Sequence, residues 1–222
     1  MRILAVSDLH GNLSVADKIA RSIKKQGFDL IAVCGDITSF GPVSLAEEIL
    51  VRFADTDVPV FFVPGNCDPA NLTDRISLKG VHSLHGSSRE VYGIGFMGVG
   101  GSTVTPYSTI TELSEETLWQ LVERAYEGVS HLKEIVLISH SPPKKTKLDL
   151  TWLDNYAGSS SIRRFLESRE INTLLCGHVH EGRGTDRMGK TLLVNVGPAS
   201  RGSYADITLT AEGDTVAKLK YF

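Results

Sequence analysis

Long apolar runs are missing from this 222-residue chain. No stretch of about 18 or more apolar residues occurs, so the sequence predicts no membrane-spanning helix. The N-terminus, Met1-Arg2-Ile3-Leu4-Ala5-Val6-Ser7-Asp8, reaches a carboxylate after one short apolar run, too short for the core of a secretory signal. Cysteine is scarce, with only three: Cys34, Cys67 and Cys176. An odd number without an export signal argues against a disulfide framework and for the cytoplasm. An excess of basic charge is also absent. Lys and Arg total 23 against 26 Asp and Glu, a formal charge of −3. Nucleic acid is therefore a disfavoured partner, though not an excluded one. The densest basic run, Lys144-Lys145-Thr146-Lys147, reads as a solvated loop. No repeat, low-complexity tract or linker divides the chain. Hydrophobic residues at 41% and charged residues at 22% are ordinary for a globular protein. A chain of this length buries roughly 70% of its unfolded surface. The expectation is a single domain over residues 1–222.

The N-terminal half alternates between strand and helix patterns. Arg2–Ser7, Phe28–Cys34 and Val58–Val63 are short apolar runs between turn residues, which favours strands. Leu13–Gln26 carries Val15, Ile19, Ala20 and Ile23 at helical spacing, with Asn12 as a candidate cap, and Leu45–Ala54 is also helical. This alternation predicts a parallel sheet. Val91–Thr103, rich in glycine, predicts strands with tight bends. Ser114–Glu127 and Ser159–Glu170 predict helices, the first capped by Ser114. Ile135–Ser139 and Ile171–Cys176 predict further strands. Thr191–Val196, Ala205–Leu209 and Val216–Tyr221 read as an antiparallel meander, giving an α/β chain whose second sheet is largely antiparallel.

Two glycine motifs fail their context tests. Gly184–Thr191 reads GTDRMGKT and matches the phosphate-loop pattern, but the following Leu192-Leu193-Val194-Asn195-Val196 is strand-like where a helix is required. A hairpin turn at Arg187–Lys190 is the better reading. Gly93–Gly98 reads GIGFMG, and it too lacks the helix that a dinucleotide site needs.

Chemistry gathers at the strand ends. The strand-like runs are followed by Asp8 and His10, by Gly35-Asp36, by Gly65-Asn66-Cys67-Asp68, by His140, and by Gly177-His178-Val179-His180. Ligands in open α/β sheets bind at the carboxyl ends of strands, so these loops converge on one site. Carboxylate, amide and imidazole donors suit Mn, Fe, Zn, Co or Ni better than calcium. Charge favours a pair of ions. Two divalent cations against Asp8, Asp36 and a hydroxide leave a net positive site that attracts phosphate, whereas one leaves it negative. The glycines before Asp36, Asn66 and His178 are expected to let the chain turn sharply.

In this order, Asp8-Leu9-His10, Gly35-Asp36, Gly65-Asn66, His140 and Gly177-His178-Val179-His180 resemble the signature blocks of the calcineurin-like metallophosphoesterase superfamily. The resemblance spans positions 8 to 180 and implies a four-layer αββα sandwich of two mixed β-sheets flanked by helices. It further implies two divalent metal ions, manganese first, with Fe, Zn, Co or Ni as alternatives. Asp8, His10, Asp36 and His180 would hold one ion. Asp36, Asn66, His140 and His178 would hold the other, with Asp36 bridging. The implied activity is hydrolysis of a small phosphate ester, a phosphodiester first, by in-line attack of a metal-bridging hydroxide. Asp36, Asn66, His140 and Cys67 form the catalytic set.

Cys67 departs from the family pattern, in which a histidine usually follows the block's Gly-Asn. A thiol with pKa near ~8.5 is a weak general acid at neutral pH. Esters with good leaving groups are therefore expected. Small prokaryotic phosphodiesterase-like members of the superfamily share this cysteine. A non-catalytic scaffold of the same fold and a nuclease are the alternatives, and a homo-oligomer stays open. Elsewhere, Cys34 and Cys176 read as core, His82 and His85 as structural, and His131 and Arg201 as surface.

Overall fold

A computed structural model describes residues 1–210 and 214–222. The chain runs through β1 (Arg2–Val6), α1 (Leu13–Gln26), β2 (Leu30–Cys34), α2 (Val43–Ala54), β3 (Val60–Val63), a single turn α3 (Leu72–Arg75) and β4 (Val81–Ser83). It continues through β5 (Ser87–Val91), β6 (Ile94–Val99), α4 (Glu115–Glu127), β7 (Glu134–Ser139), α5 (Ser160–Ser168) and β8 (Thr173–Cys176). The last strands are β9 (Gly184–Met188), β10 (Thr191–Asn195), β11 (Ser203–Leu209) and β12 (Thr215–Tyr221).

These strands form two six-stranded sheets, ordered β12-β11-β1-β2-β3-β4 and β5-β6-β7-β8-β10-β9. Strict alternation along β1 explains the layering. Leu4 and Val6 face α1 and α2, packing on Val15, Ile19, Ile49 and Phe53. Ile3 and Ala5 face the other sheet, packing among Phe61, Phe96, Val136 and Leu175. On the far side, Met97, Leu137 and Leu174 meet Val122 of α4 and Phe165 of α5. The layers are helix, sheet, sheet, helix. The inner strands β1, β2, β3, β8 and β10 are almost wholly buried, which is why they read as continuous apolar runs.

Local signals set the helix ends. Asn12 Oδ1 accepts from Val15 N at 3.1 Å, and Gly27 closes α1 in the left-handed conformation with φ 66°. Ser114 and Ser159 cap α4 and α5 through the amides of Thr117 and Ile162. Both rejected glycine motifs are hairpins. Tyr92 and Gly93, at φ 54° and 77°, turn β5 into β6, and Gly189 turns β9 into β10.

The expected C-terminal meander does not form. β10 lies inside the second sheet, parallel to β8 and antiparallel to β9. β11 crosses to the first sheet and pairs antiparallel with β1, and only β11 and β12 form a hairpin. The second sheet is also not largely antiparallel, because β6, β7, β8 and β10 run parallel and only its edges reverse. The reason is burial. All of β10 is buried, and a strand covered on both faces belongs in the interior of a sheet. Among the described residues, no helix is long and apolar enough to cross a membrane.

Candidate metal centre

Parallel β1, β2 and β3 of one sheet and β7 and β8 of the other end at the same edge of the sandwich. Their terminal loops interlock. Asp8 N donates to Gly35 O at 3.0 Å, His10 N to Asp36 O at 3.0 Å, and Gly177 N to His140 O at 3.1 Å. Asp8, His10, Asp36 and His178 sit at φ 54°, 50°, 48° and 67°. None is glycine, so each left-handed conformation costs about 1 kcal/mol, held by these neighbours.

The glycines act differently from the sequence expectation. Only Gly35, at φ 91°, needs left-handed freedom. Gly65 and Gly177 are required by space. A Cβ on Gly65 would overlap the Asp36 carboxylate, and one on Gly177 would overlap Ser7 Oγ and Asp8 Oδ2. The side chains can converge only because these backbones approach so closely.

On the outer side, His180 Nε2 lies 3.4 Å and His10 Nε2 4.0 Å from Asp8 Oδ1, and the two nitrogens are 3.4 Å apart. On the inner side, His140 Nε2 lies 3.5 Å from Asp36 Oδ1 and 2.8 Å from Asn66 Oδ1. His178 packs its ring edge-on against His140, centroids 5.0 Å apart, and donates its backbone N–H to Asp8 Oδ2 at 3.2 Å. Asp36 is central. Its carboxylate lies within 4.8 Å of ligand atoms of Asp8 and His140 in one cluster, and of His10 and Cys67 in another. All of the residues expected at the site are thus brought to this edge.

Two features suit a cation. Asp8 Oδ1 is buried without a hydrogen-bond donor, and so is His10 Nδ1 without a partner. His140 Nδ1 lies 2.8 Å from the Cys34 carbonyl, which only accepts, so Nδ1 carries the proton. In the neutral ring Nε2 is then bare, yet it faces the oxygens of Asn66 and Asp36. Lone pairs converge with nothing between them to share, as a metal site requires.

Electrostatics follow. Burial pushes the Asp8 carboxyl up, but the His180 imidazole 3.4 Å from Oδ1 outweighs it and holds the carboxyl well below the usual range. His180 is raised, chiefly by the Asp8 carboxylate beside it. His178 is lowered to about 3, chiefly by burial. The Cys67 thiol is pushed far up by burial and by Asp36, so it keeps its proton.

Several supporting residues were not singled out from sequence. Asp68 Oδ1 and Oδ2 accept from Thr38 N, Ile37 N and Gly65 N, tying the Asp36 loop to the Asn66 loop. Asn195, at the end of β10, donates to the carbonyls of Gly177, Val179 and Leu148 and so holds the His178–His180 loop. Thr109 accepts from Asn66 Nδ2 at 3.1 Å. The one signal available for the first two was a polar residue at a strand end. Thr109 carried none. Cys34 and Cys176 are buried in the core. His85 accepts from Gly100 N, while His131 and Arg201 are exposed.

The model of calcineurin-like phosphoesterases matches residues 1–182. The chain belongs to the calcineurin-like phosphoesterase family. An uncharacterized protein, MJ1162, of Methanocaldococcus jannaschii is 37% identical over 204 residues, 90% of this chain and 89% of that one. A Pseudoalteromonas protein named "Probable cyclic nucleotide phosphodiesterase" is 27% identical, covering 81% of this chain and 71% of its own. The crystal structure of a dimetal phosphatase from Danio rerio shares the fold, with a TM-score of 0.69 at 12% identity over 100% of this chain and 96% of that one. As a calcineurin-like phosphoesterase the protein is a hydrolase with a metal site, and the candidate ligands are those described above.

Proposed function

We propose that the protein is a dinuclear-metal phosphodiesterase and that residues 1–222 act as one domain. The observation that carries this reading is the pair of half-sites sharing Asp36, one ending in Asp8, His10 and His180 and the other in Asn66 and His140, with His178 alongside. Two divalent ions, manganese first, would supply Lewis acidity and a hydroxide near pH 7 for in-line attack on phosphorus.

The chain's own residues do the rest. Asp8 and Asp36 supply the negative charge that holds the ions. His140, locked by Cys34 O, keeps its Nε2 lone pair pointing inward. His10 and His180 are partly exposed, so a small phosphate ester would reach the ions from their side. Cys67 holds its proton too tightly to serve as a matched general acid, so diesters with stable leaving groups are favoured over alkyl monoesters. The Pseudoalteromonas relative's name agrees with a diester. Three unpaired cysteines agree with the cytoplasm.

Chelator-stripped protein titrated with Mn²⁺ is expected to hydrolyse bis(p-nitrophenyl) phosphate with saturable activation, and to turn over an alkyl phosphomonoester more slowly. Faster turnover of the monoester would overturn the diester preference. No activation by any of Mn, Fe, Zn, Co or Ni would overturn the enzyme.

A further inference from the structure

Asn66 raises a question of orientation. An amide offers an oxygen at one end and two N–H donors at the other. His140 Nε2, bare in the neutral ring, would accept a hydrogen bond from the amide nitrogen. Asn66 instead turns its oxygen to it at 2.8 Å. Left to itself the amide would rotate by half a turn, donate to Nε2, and close the inner side to a cation.

The loop between β6 and α4 prevents that rotation. Glu112 Oε1 accepts from Thr105 Oγ1 at 2.6 Å, from Thr109 N at 2.8 Å and from Thr109 Oγ1 at 2.8 Å. These bonds, Thr105 first, hold its carboxyl down to about 2, so it is ionised and only accepts. The Thr109 hydroxyl proton is therefore committed to Glu112, and the Thr109 lone pairs face Asn66. Only the nitrogen end of the amide fits there, and it donates at 3.1 Å. Its other hydrogen points to Cys67 Sγ at 3.6 Å. The loop's backbone is anchored separately, by Thr111 N to Asn66 O at 2.9 Å and Thr111 Oγ1 to Asp68 O at 2.8 Å.

We propose that Thr109 and Glu112 are positioning residues that fix which end of the Asn66 amide faces the inner ion, and so set the affinity of that ion. This rests on the ligand assignment proposed above. The test is calorimetric titration of Mn²⁺ into the chelator-stripped full chain, with thermal melting as the check on folding. Wild type is expected to take two ions. Thr109→Val, which keeps shape and removes the acceptor, weakens one of them by roughly 10- to 100-fold and leaves the other nearly unchanged. Thr109→Ser restores it. Glu112→Ala, which removes the acceptor and frees the Thr109 proton to turn toward Asn66, weakens the same ion by less. It keeps the test decisive if the valine variant folds poorly. Unchanged binding of both ions in Thr109→Val, or failure of serine to rescue, overturns the proposal alone. A wild type that binds fewer than two ions overturns the two-ion reading, and the proposal with it.

Discussion

The inner and outer sides of the centre both gather histidines around a carboxylate but hold them in opposite ways. His140 is fully buried, with one ring nitrogen on the Cys34 carbonyl and the other facing Asn66. His10 and His180 keep 24% and 28% of their side chains exposed, and both lean on Asp8. The inner side is part of the core, preorganised by backbone and by the Thr109 loop. The outer side is open, and its imidazoles depend on one carboxylate for their place. Holding an ion calls for the first arrangement, and admitting a substrate calls for the second.

The largest effect should come from the residue that belongs to both sides. Asp36→Asn is expected to lose both ions and to cut phosphodiester turnover by on the order of 10³-fold or more. Metal content after gel filtration, measured beside activity, checks this. Two retained ions with full turnover would remove the shared carboxylate and erase the division into sides.

A smaller effect should separate the sides by stability. Urea unfolding of the metal-free protein should show His140→Ala destabilised by about 2–4 kcal/mol, from a cavity and a lost buried hydrogen bond. His10→Ala, at the exposed side, should stay within about 0.5 kcal/mol of wild type. Equal losses would mean that both histidines are structural.

The smallest effect is in titration. His180 is raised in the folded state, so its proton stabilises the metal-free fold fully below the unfolded value of about 6.5 and is lost as pH rises through the folded value. His178 has the opposite sign. Lowered to about 3, it stays neutral in the fold while the unfolded chain protonates, so its contribution falls as pH drops from about 6.5 toward 3. Ring resonances of the metal-free protein should show His180 protonating first and His178 remaining neutral until strong acid. A common midpoint near the ordinary value would contradict the contrast.

Much of the centre was legible in the sequence because strand ends are legible. A short apolar run followed by Asp, Asn or His places that residue at a sheet edge, and Asp8, Asp36, Asn66, His140 and His178 all follow this rule. The paths of β10 and β11 were not legible. A short β-rich segment carries no mark of which sheet it joins, and only the burial of Leu192, Leu193 and Val194 under both neighbouring layers decides it. That crossing has a consequence for the site. Residues 196–203 run past it, and Ala199 N and Ser200 N hold the carbonyls of Ser7 and Asp8 at 2.8 and 3.1 Å.

By itself the sequence determined the alternating strands and helices, the helix caps and the donor set at the strand ends. These depend on local periodicity and on residue chemistry within a few positions. The tertiary structure alone decided which sheet each C-terminal strand entered, why Gly65 and Gly177 have no side chain, and which end of the Asn66 amide faces His140. Those depend on contacts between residues far apart in the chain, such as Gly177 against Ser7 and Asn66 against Thr109, and local sequence carries no record of such distances.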